Sequence, residues 1–182
     1  MRWPIYQAKH VLHTSGVIVY PTETVWGLGC DPQDTQALNR ILSIKRRDAD
    51  KGLILVAANI KQFEFLLNDI SPEQRAELNK NWPGAVTYLV PHQNKVHPLV
   101  HGQFDTVAIR VSPHPMVQAL CEQFGGPIVS TSANYAGQPT ARSAIQARTL
   151  FGAEVDYILS GPVGLANAPS RIIDLASGAV LR

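Results

Sequence analysis

The apolar positions of this chain switch repeatedly between a two-residue and a helical period. Gly16-Val17-Ile18-Val19-Tyr20 is a compact β-branched run that stops at Pro21, the mark of a buried strand. Asp34-Thr35 then opens a helix in which Ala37, Leu38, Ile41, Leu42 and Ile44 share one face. Gly52-Leu53-Ile54-Leu55-Val56 follows as a second interior strand. Ile60, Phe63, Leu66 and Leu67 return to helical spacing. Ser71-Pro72-Glu73-Gln74 offers an N-cap, a proline for the first helical position and acidic or amide first-turn residues. Residues 85–90 and 106–111 read as strands, and 116–124 as a helix closed by Gly125-Gly126. Residues 127–130 form a strand running into a polar loop, and 143–150 a helix. Short strands follow at 157–159 and 172–175, with Val180-Leu181 the start of another. Strands alternating with helices define an α/β fold. Some successive strands lack the crossover helix that parallel pairing requires, so the expected sheet is mixed, with flanking helices.

Composition narrows this picture. A length of 182 residues fits one domain spanning 1–182. With 45% apolar and 16% charged residues, the chain is neither a disordered tail, a coiled coil nor a charge-driven scaffold. No apolar run approaches the ~20 residues that span a bilayer. Met1-Arg2-Trp3-Pro4 lacks the apolar core of a signal peptide. Two cysteines, Cys30 and Cys121, are too few for a disulfide framework or a thiol-rich metal site. A cytoplasmic setting without membrane contact is therefore expected. The net charge of +2 says little, but its placement says more. Lys45, Arg46, Arg47 and Lys51 bring four of the 16 basic side chains into seven residues. Such a cluster suits phosphate; the alternative is a solvated helix end with cations on its dipole.

Three segments carry candidate chemistry. In Tyr20-Pro21-Thr22-Glu23-Thr24-Val25-Trp26-Gly27-Leu28-Gly29, a strand end offers two hydroxyls flanking a carboxylate. Strand ends in α/β sheets collect ligands, and the two glycines permit close backbone approach. The competing reading is a turn in which the threonines satisfy local backbone groups. In Lys45-Arg46-Arg47-Asp48-Ala49-Asp50-Lys51, a helix end delivers cations before a buried strand, the arginine fork suiting phosphate oxygens. In Ser130-Thr131-Ser132-Ala133-Asn134, a strand ends in three hydroxyls and an amide, suited to phosphate or ribose or to a capped turn. Neither G-x-x-x-x-G-K-[ST] nor G-x-G-x-x-G occurs, so a nucleotide site here must use side-chain cations. No G-x-S-x-G elbow surrounds the serines, and the histidines match no zinc spacing.

Taken in order, these segments resemble the YrdC/TsaC family of threonylcarbamoyl-AMP synthases. Thr106-Val107-Ala108-Ile109-Arg110, His114-Pro115, Ser170-Arg171-Ile172-Ile173-Asp174 and Val180-Leu181-Arg182 extend the likeness over essentially the whole chain. The resemblance implies a twisted, open mixed sheet around a large, basic concave site. It implies an ATP-dependent reaction in which L-threonine and bicarbonate give threonylcarbamoyl-adenylate and pyrophosphate, with Mg²⁺ accompanying ATP. The product would serve N6-threonylcarbamoyladenosine formation in tRNA through separate threonylcarbamoyl-transfer proteins. Residue by residue, Lys45, Arg47, Lys51, Thr106, Ser132, Asn134, Thr140 and Arg182 would face ATP. Lys45, Arg47 and Ser132 would be the catalytic set. Thr22, Thr24, Arg110, Ser130 and Ser170 would face threonine. The end at Arg182 implies the short form without a linker and C-terminal domain. Departures from the family pattern are Lys51-Gly52 where many relatives carry Asn-Pro, Val56 in place of a His, Trp26 for a Tyr, and Pro169-Ser170-Arg171 for Glu-Ser-Thr.

Two other readings compete. A non-catalytic module binding double-stranded RNA or tRNA would use the same basic concavity, but the chain has no aromatic–basic RNA-reading pattern. A carbamoyl-transfer domain of a larger hydrogenase-maturation enzyme would need zinc-finger and acylphosphatase-like segments, which do not occur in this sequence.

Overall fold

The computed structural model describes residues 2–164 and 170–182. Its eight strands are β1 (Ile18–Pro21), β2 (Trp26–Gly29), β3 (Ile54–Ala57), β4 (Val86–Pro91), β5 (Thr106–Val111), β6 (Ile128–Ser132), β7 (Tyr157–Ile158) and β8 (Arg171–Asp174). They form one sheet in the order β7-β1-β2-β6-β3-β5-β4-β8. The pairs β1/β7, β3/β5 and β4/β8 are parallel and the others antiparallel, so the sheet is mixed as expected. The helices are α1 (Arg2–His13), α2 (Thr35–Lys45), α3 (Glu64–Leu67), α4 (Pro72–Asn81), α5 (Pro98–His101), α6 (Pro115–Phe124) and α7 (Ala144–Phe151).

Most of these elements follow the sequence pattern. Asp34 caps α2, its carboxylate accepting from the Ala37 amide at 2.9 Å, and Ala37, Leu38, Ile41, Leu42 and Ile44 are all buried. Ser71 and Gln74 close a reciprocal capping box on α4. Several elements run against the sequence reading, three of them instructively. The sequence pattern names no element before Gly16, yet residues Arg2–His13 form α1, with Ile5, Ala8 and Leu12 as its buried stripe. Strand β2 contains two glycines, which strands normally avoid. The reason is steric. A Cβ at Gly29 would lie 2.7 Å from both the Tyr20 ring and the Val129 carbonyl oxygen, so only glycine lets β2 sit between β1 and β6. At this glycine the close approach is to the sheet's own neighbours rather than to a ligand. The stretch read as a helix from Ile60 to Leu67 is a 3₁₀ turn, Ile60–Phe63, followed by the single α turn of α3.

Side-chain alternation divides the sheet's two faces. On one face Val107, Ile109 and Val111 of β5 and Leu55 and Ala57 of β3 join the larger core, with α2, α3 and α4. On the other, α1 and α6 cover Ile18, Tyr20, Val56 and Ile128. The two helices stop there. The outward members of the same strands, Ile54, Ala108, Arg110, Ser130 and Ser132, are left lining an open cavity. Val56, which replaces the family's His, belongs to the covered part.

Candidate active site

The uncovered half of the sheet face bounds a cavity of about 940 Å³. Its wall includes Arg47, Lys51, Arg110, Arg142 and Arg182, the hydroxyls of Thr24, Thr106, Ser130, Ser132, Thr140 and Ser170, and Thr22. No Asp or Glu among the described residues belongs to that wall. Five of the chain's 16 basic residues therefore face one concavity without a counter-charge on its surface.

The first corner is built by the end of α2. Arg46 takes the left-handed conformation (φ 49°, ψ 47°), and this turn separates two adjacent arginines. The Arg46 guanidinium lies 5.6 Å from the Tyr135 ring centre, while Arg47 belongs to the cavity wall. Arg47 is held by the Gly52 carbonyl, which accepts from Nε at 3.2 Å and Nη2 at 3.0 Å, and by the Lys51 carbonyl at 3.2 Å. Its Nη1 makes none of these bonds, and burial lowers its pKa. Gly52 adopts φ +60°, ψ 174°, with the Val100 carbonyl 3.0 Å from where a Cβ would stand. A proline, fixed near −65°, could not adopt this conformation, so the change from the family's Asn-Pro to Lys51-Gly52 alters the backbone as well as the side chains.

The second corner places Lys45 differently from its expected phosphate contact. Lys45 is 4% exposed and absent from the wall. Its ammonium donates to the Ser132 carbonyl (2.5 Å), the Asn134 carbonyl (3.0 Å) and Asn134 Oδ1 (3.1 Å). Those three bonds use all its protons. Burial first, then the nearby Arg47 charge, lowers its pKa to about 8. Asn134 also stands behind the wall: its Oδ1 accepts from the Ser132 hydroxyl at 2.6 Å and its Nδ2 donates to the Gln138 carbonyl at 2.8 Å. Lys45 and Asn134 thus brace the loop that presents Ser132.

The third corner lies between β1 and β2. The Thr22 hydroxyl donates to the Val25 carbonyl at 2.7 Å, closing the turn, so at the cavity wall its oxygen has only acceptor capacity left to offer. Thr24 faces the cavity. Glu23, which the sequence reading did not select, is buried against Arg110, with 3.2 Å between Oε2 and Nη2. Ser170 faces the cavity with its hydroxyl 2.9 Å from that of Thr87. Arg182 reaches in from the C-terminal tail, donating to the Ser170 carbonyl. Pro169 lies outside the described residues. The sequence reading also missed Arg142 and His101 on the wall. A cation two residues after Thr140 was the available signal for the first, whereas His101 stacks on His92 at 3.8 Å and carried none. Both cysteines are buried and unpaired, burial pushing the Cys121 thiol up to about 12 and Cys30 further up.

A concave, cation-walled face on an α/β sheet, ringed by hydroxyls, has the surface of a site that receives anionic small molecules. The comparisons make this particular. A family model for Sua5, YciO and YrdC proteins, described as telomere recombination, matches residues 10–182. The chain is 52% identical to a threonylcarbamoyl-AMP synthase of Saccharophagus degradans over 176 residues, covering 97% of this chain and 92% of the relative. It is 48% identical to one from Pseudomonas fluorescens over 180 residues, covering 99% and 97%. Among solved structures, it superposes on P. abyssi Sua5 complexed with L-threonine with a TM-score of 0.92 and 33% identity. That match covers all of this chain and 54% of the Sua5 chain. E. coli YciO matches with a TM-score of 0.85 at 28% identity, over 98% of this chain and 87% of that one. The chain belongs to the Sua5/YciO/YrdC family.

Proposed function

We infer that the chain is an L-threonylcarbamoyladenylate synthase, making threonylcarbamoyl-AMP and pyrophosphate from L-threonine, bicarbonate and ATP. The observation that carries this reading is the wall of the cavity, with five cations, several hydroxyl residues and, among the described residues, no Asp or Glu side chain. ATP and threonine each bring anionic groups that such a wall can receive together. The threonine amine and bicarbonate lose water to give a carbamate. A carbamate oxygen then attacks the α-phosphorus, and the bond to the β,γ-pyrophosphate breaks. No enzyme-bound intermediate is needed, so the protein's task is to align three reactants and offset phosphate charge.

In this reading Arg47, Lys51 and Arg182 hold the triphosphate side with Thr106, Ser132 and Thr140. Thr24, Arg110, Ser130 and Ser170 form the amino-acid side. Lys45 and Asn134 act through the loop that carries Ser132. Magnesium would enter as the companion of the nucleotide phosphates, whose oxygens supply the hard ligands it prefers. The product, a mixed carbamic–phosphoric anhydride, suits hand-over to proteins that transfer the threonylcarbamoyl group to tRNA in the same compartment. The test incubates the protein with Mg·ATP, threonine and bicarbonate and follows threonylcarbamoyl-adenylate by mass spectrometry. Product must appear, must vanish when threonine is omitted, and must fall at least ~10²-fold in Arg47→Ala. Pyrophosphate release that ignores threonine would reject the reading.

A further inference from the structure

Behind the amino-acid corner lies a carboxylate that the proposed chemistry does not consume. Glu23 is 7% exposed and is not part of the cavity wall, whereas Arg110 beside it is. Oε1 of Glu23 accepts from the Ser112 hydroxyl at 2.5 Å. Ser112 is itself pinned on three sides. Its amide donates to the Ala57 carbonyl at 3.0 Å, its carbonyl accepts from Gln118 at 3.0 Å, and its hydroxyl oxygen accepts from the His114 amide at 3.1 Å. Gly164 closes the far side: a Cβ there would stand 2.7 Å from the Glu23 carbonyl oxygen and 2.9 Å from its Cα. The residue is thus held at its backbone by Gly164 and at one carboxylate oxygen by Ser112. Its Oε2 lies 3.2 Å from Arg110 Nη2, but neither Oε2 nor Arg110 Nε has a well-aligned hydrogen-bond partner among the described residues. The charges are in contact and the guanidinium's donor capacity is only partly used.

We propose that Glu23 is a positioning residue that reserves Arg110 for the carboxylate of the amino-acid substrate. The cavity holds five cations and must receive both a triphosphate and an amino-acid carboxylate, of which the triphosphate carries far more charge. An arginine without a fixed local counter-charge would swing toward phosphate, because its fork binds phosphate and carboxylate alike. A carboxylate held in this way against one edge of Arg110 keeps the guanidinium at the β5 end of the wall and leaves another edge open. This rests on the reading that Arg110 receives the substrate carboxylate.

The experiment measures kcat and KM for L-threonine and for L-threoninamide, which lacks the carboxylate, at saturating Mg·ATP. It compares the unaltered protein with Glu23→Gln and Arg110→Gln. The expected result is a threonine KM raised ~10-fold or more in Glu23→Gln, a preference for threonine over threoninamide reduced by a similar factor, and an unchanged KM for ATP. A merely structural role would weaken both amino-acid substrates and ATP alike. If Arg110→Gln abolishes the preference while Glu23→Gln leaves it intact, positioning by Glu23 is overturned and the role of Arg110 stands. If Arg110→Gln also leaves the preference intact, the reading of Arg110 itself fails. Should Glu23→Gln not fold, as judged by its thermal transition, Ser112→Ala removes only the hydrogen bond that fixes the carboxylate. It is expected to lose several-fold of the same preference, and an unchanged preference there would equally overturn the proposal.

Discussion

Lys45 has three N–H groups, and each meets an oxygen of the loop from Ser132 to Asn134. Removing that ammonium frees two backbone carbonyls and an amide oxygen in a part-buried position, each of which loses its charge-assisted bond. Lys45→Met is therefore expected to lower kcat at least ~10-fold while weakening ATP binding less than Arg47→Ala, a difference that isothermal titration with ATP would measure. The pH dependence separates the two arginine-like roles further. The Lys45 pKa falls from 10.5 to about 8 in the fold, so the native state releases this proton before the unfolded chain does. As pH rises from about 8 toward 10.5, this group favours folding more, not less, yet the neutral amine keeps only two donors for three acceptors. A loss of kcat that sets in near pH 8 without a matching fall in thermal stability is expected, and Lys45→Met should flatten that limb. The residue type and its position before Arg47 were legible in the sequence. Its orientation was not, because it depends on a loop 87 residues further along the chain.

At the scale of elements, the site depends on how α2 starts and how it ends. Asp34 caps its first turn, and hydrogen bonds from Ser15 and the Ala37 amide lower its pKa below 3.8. A depressed carboxylate contributes stability above its unfolded pKa and loses it as pH falls through the folded value. Asp34→Ala should lower stability by about 1 kcal/mol at neutral pH and by less below pH 4, as read from urea unfolding at the two pH values. At the other end, Gly52 sits at φ +60°, ψ 174°, a region that side-chain-bearing residues essentially avoid. Gly52→Ala should destabilise the protein by roughly 1–3 kcal/mol. It should also raise the KM for ATP, because the Gly52 carbonyl is what holds Arg47. Periodicity exposed α2 and its cap, since both are local. It hid β2, whose glycines answer to the Tyr20 ring and the Val129 carbonyl on neighbouring strands. It also hid α1, whose short stripe of Ile5, Ala8 and Leu12 becomes apolar surface worth burying only once α6 lies alongside.

For the whole molecule, a net charge of +2 conceals a cavity lined by five cations with, among the described residues, no Asp or Glu on its wall. Affinity for ATP should accordingly fall as salt rises from 50 to 500 mM, since exposed charge attraction is screened within ~10 Å at about 0.1 M. The affinity for threonine, whose zwitterion carries no net charge, should change less. Ligands that bind only the folded state must raise its stability, by about 2.7 kcal/mol at 100 times the dissociation constant. Mg·ATP and threonine together should therefore shift the melting temperature by several degrees, and the shift should shrink in Arg47→Ala. The sequence by itself determined the alternation of strands and helices, the mixed sheet, the family and most of the polar residues of the wall, because local periodicity and short motifs carry that information. Only the tertiary structure decided which of those residues face the cavity. Thr22 turns its hydroxyl to a backbone carbonyl, and Lys45 and Asn134 pair with each other and with nearby backbone carbonyls, while Arg142 joins the wall and Glu23 stands behind Arg110. The physical reason is that a buried polar group must be paired, and its partner is set by which strands the sheet brings together.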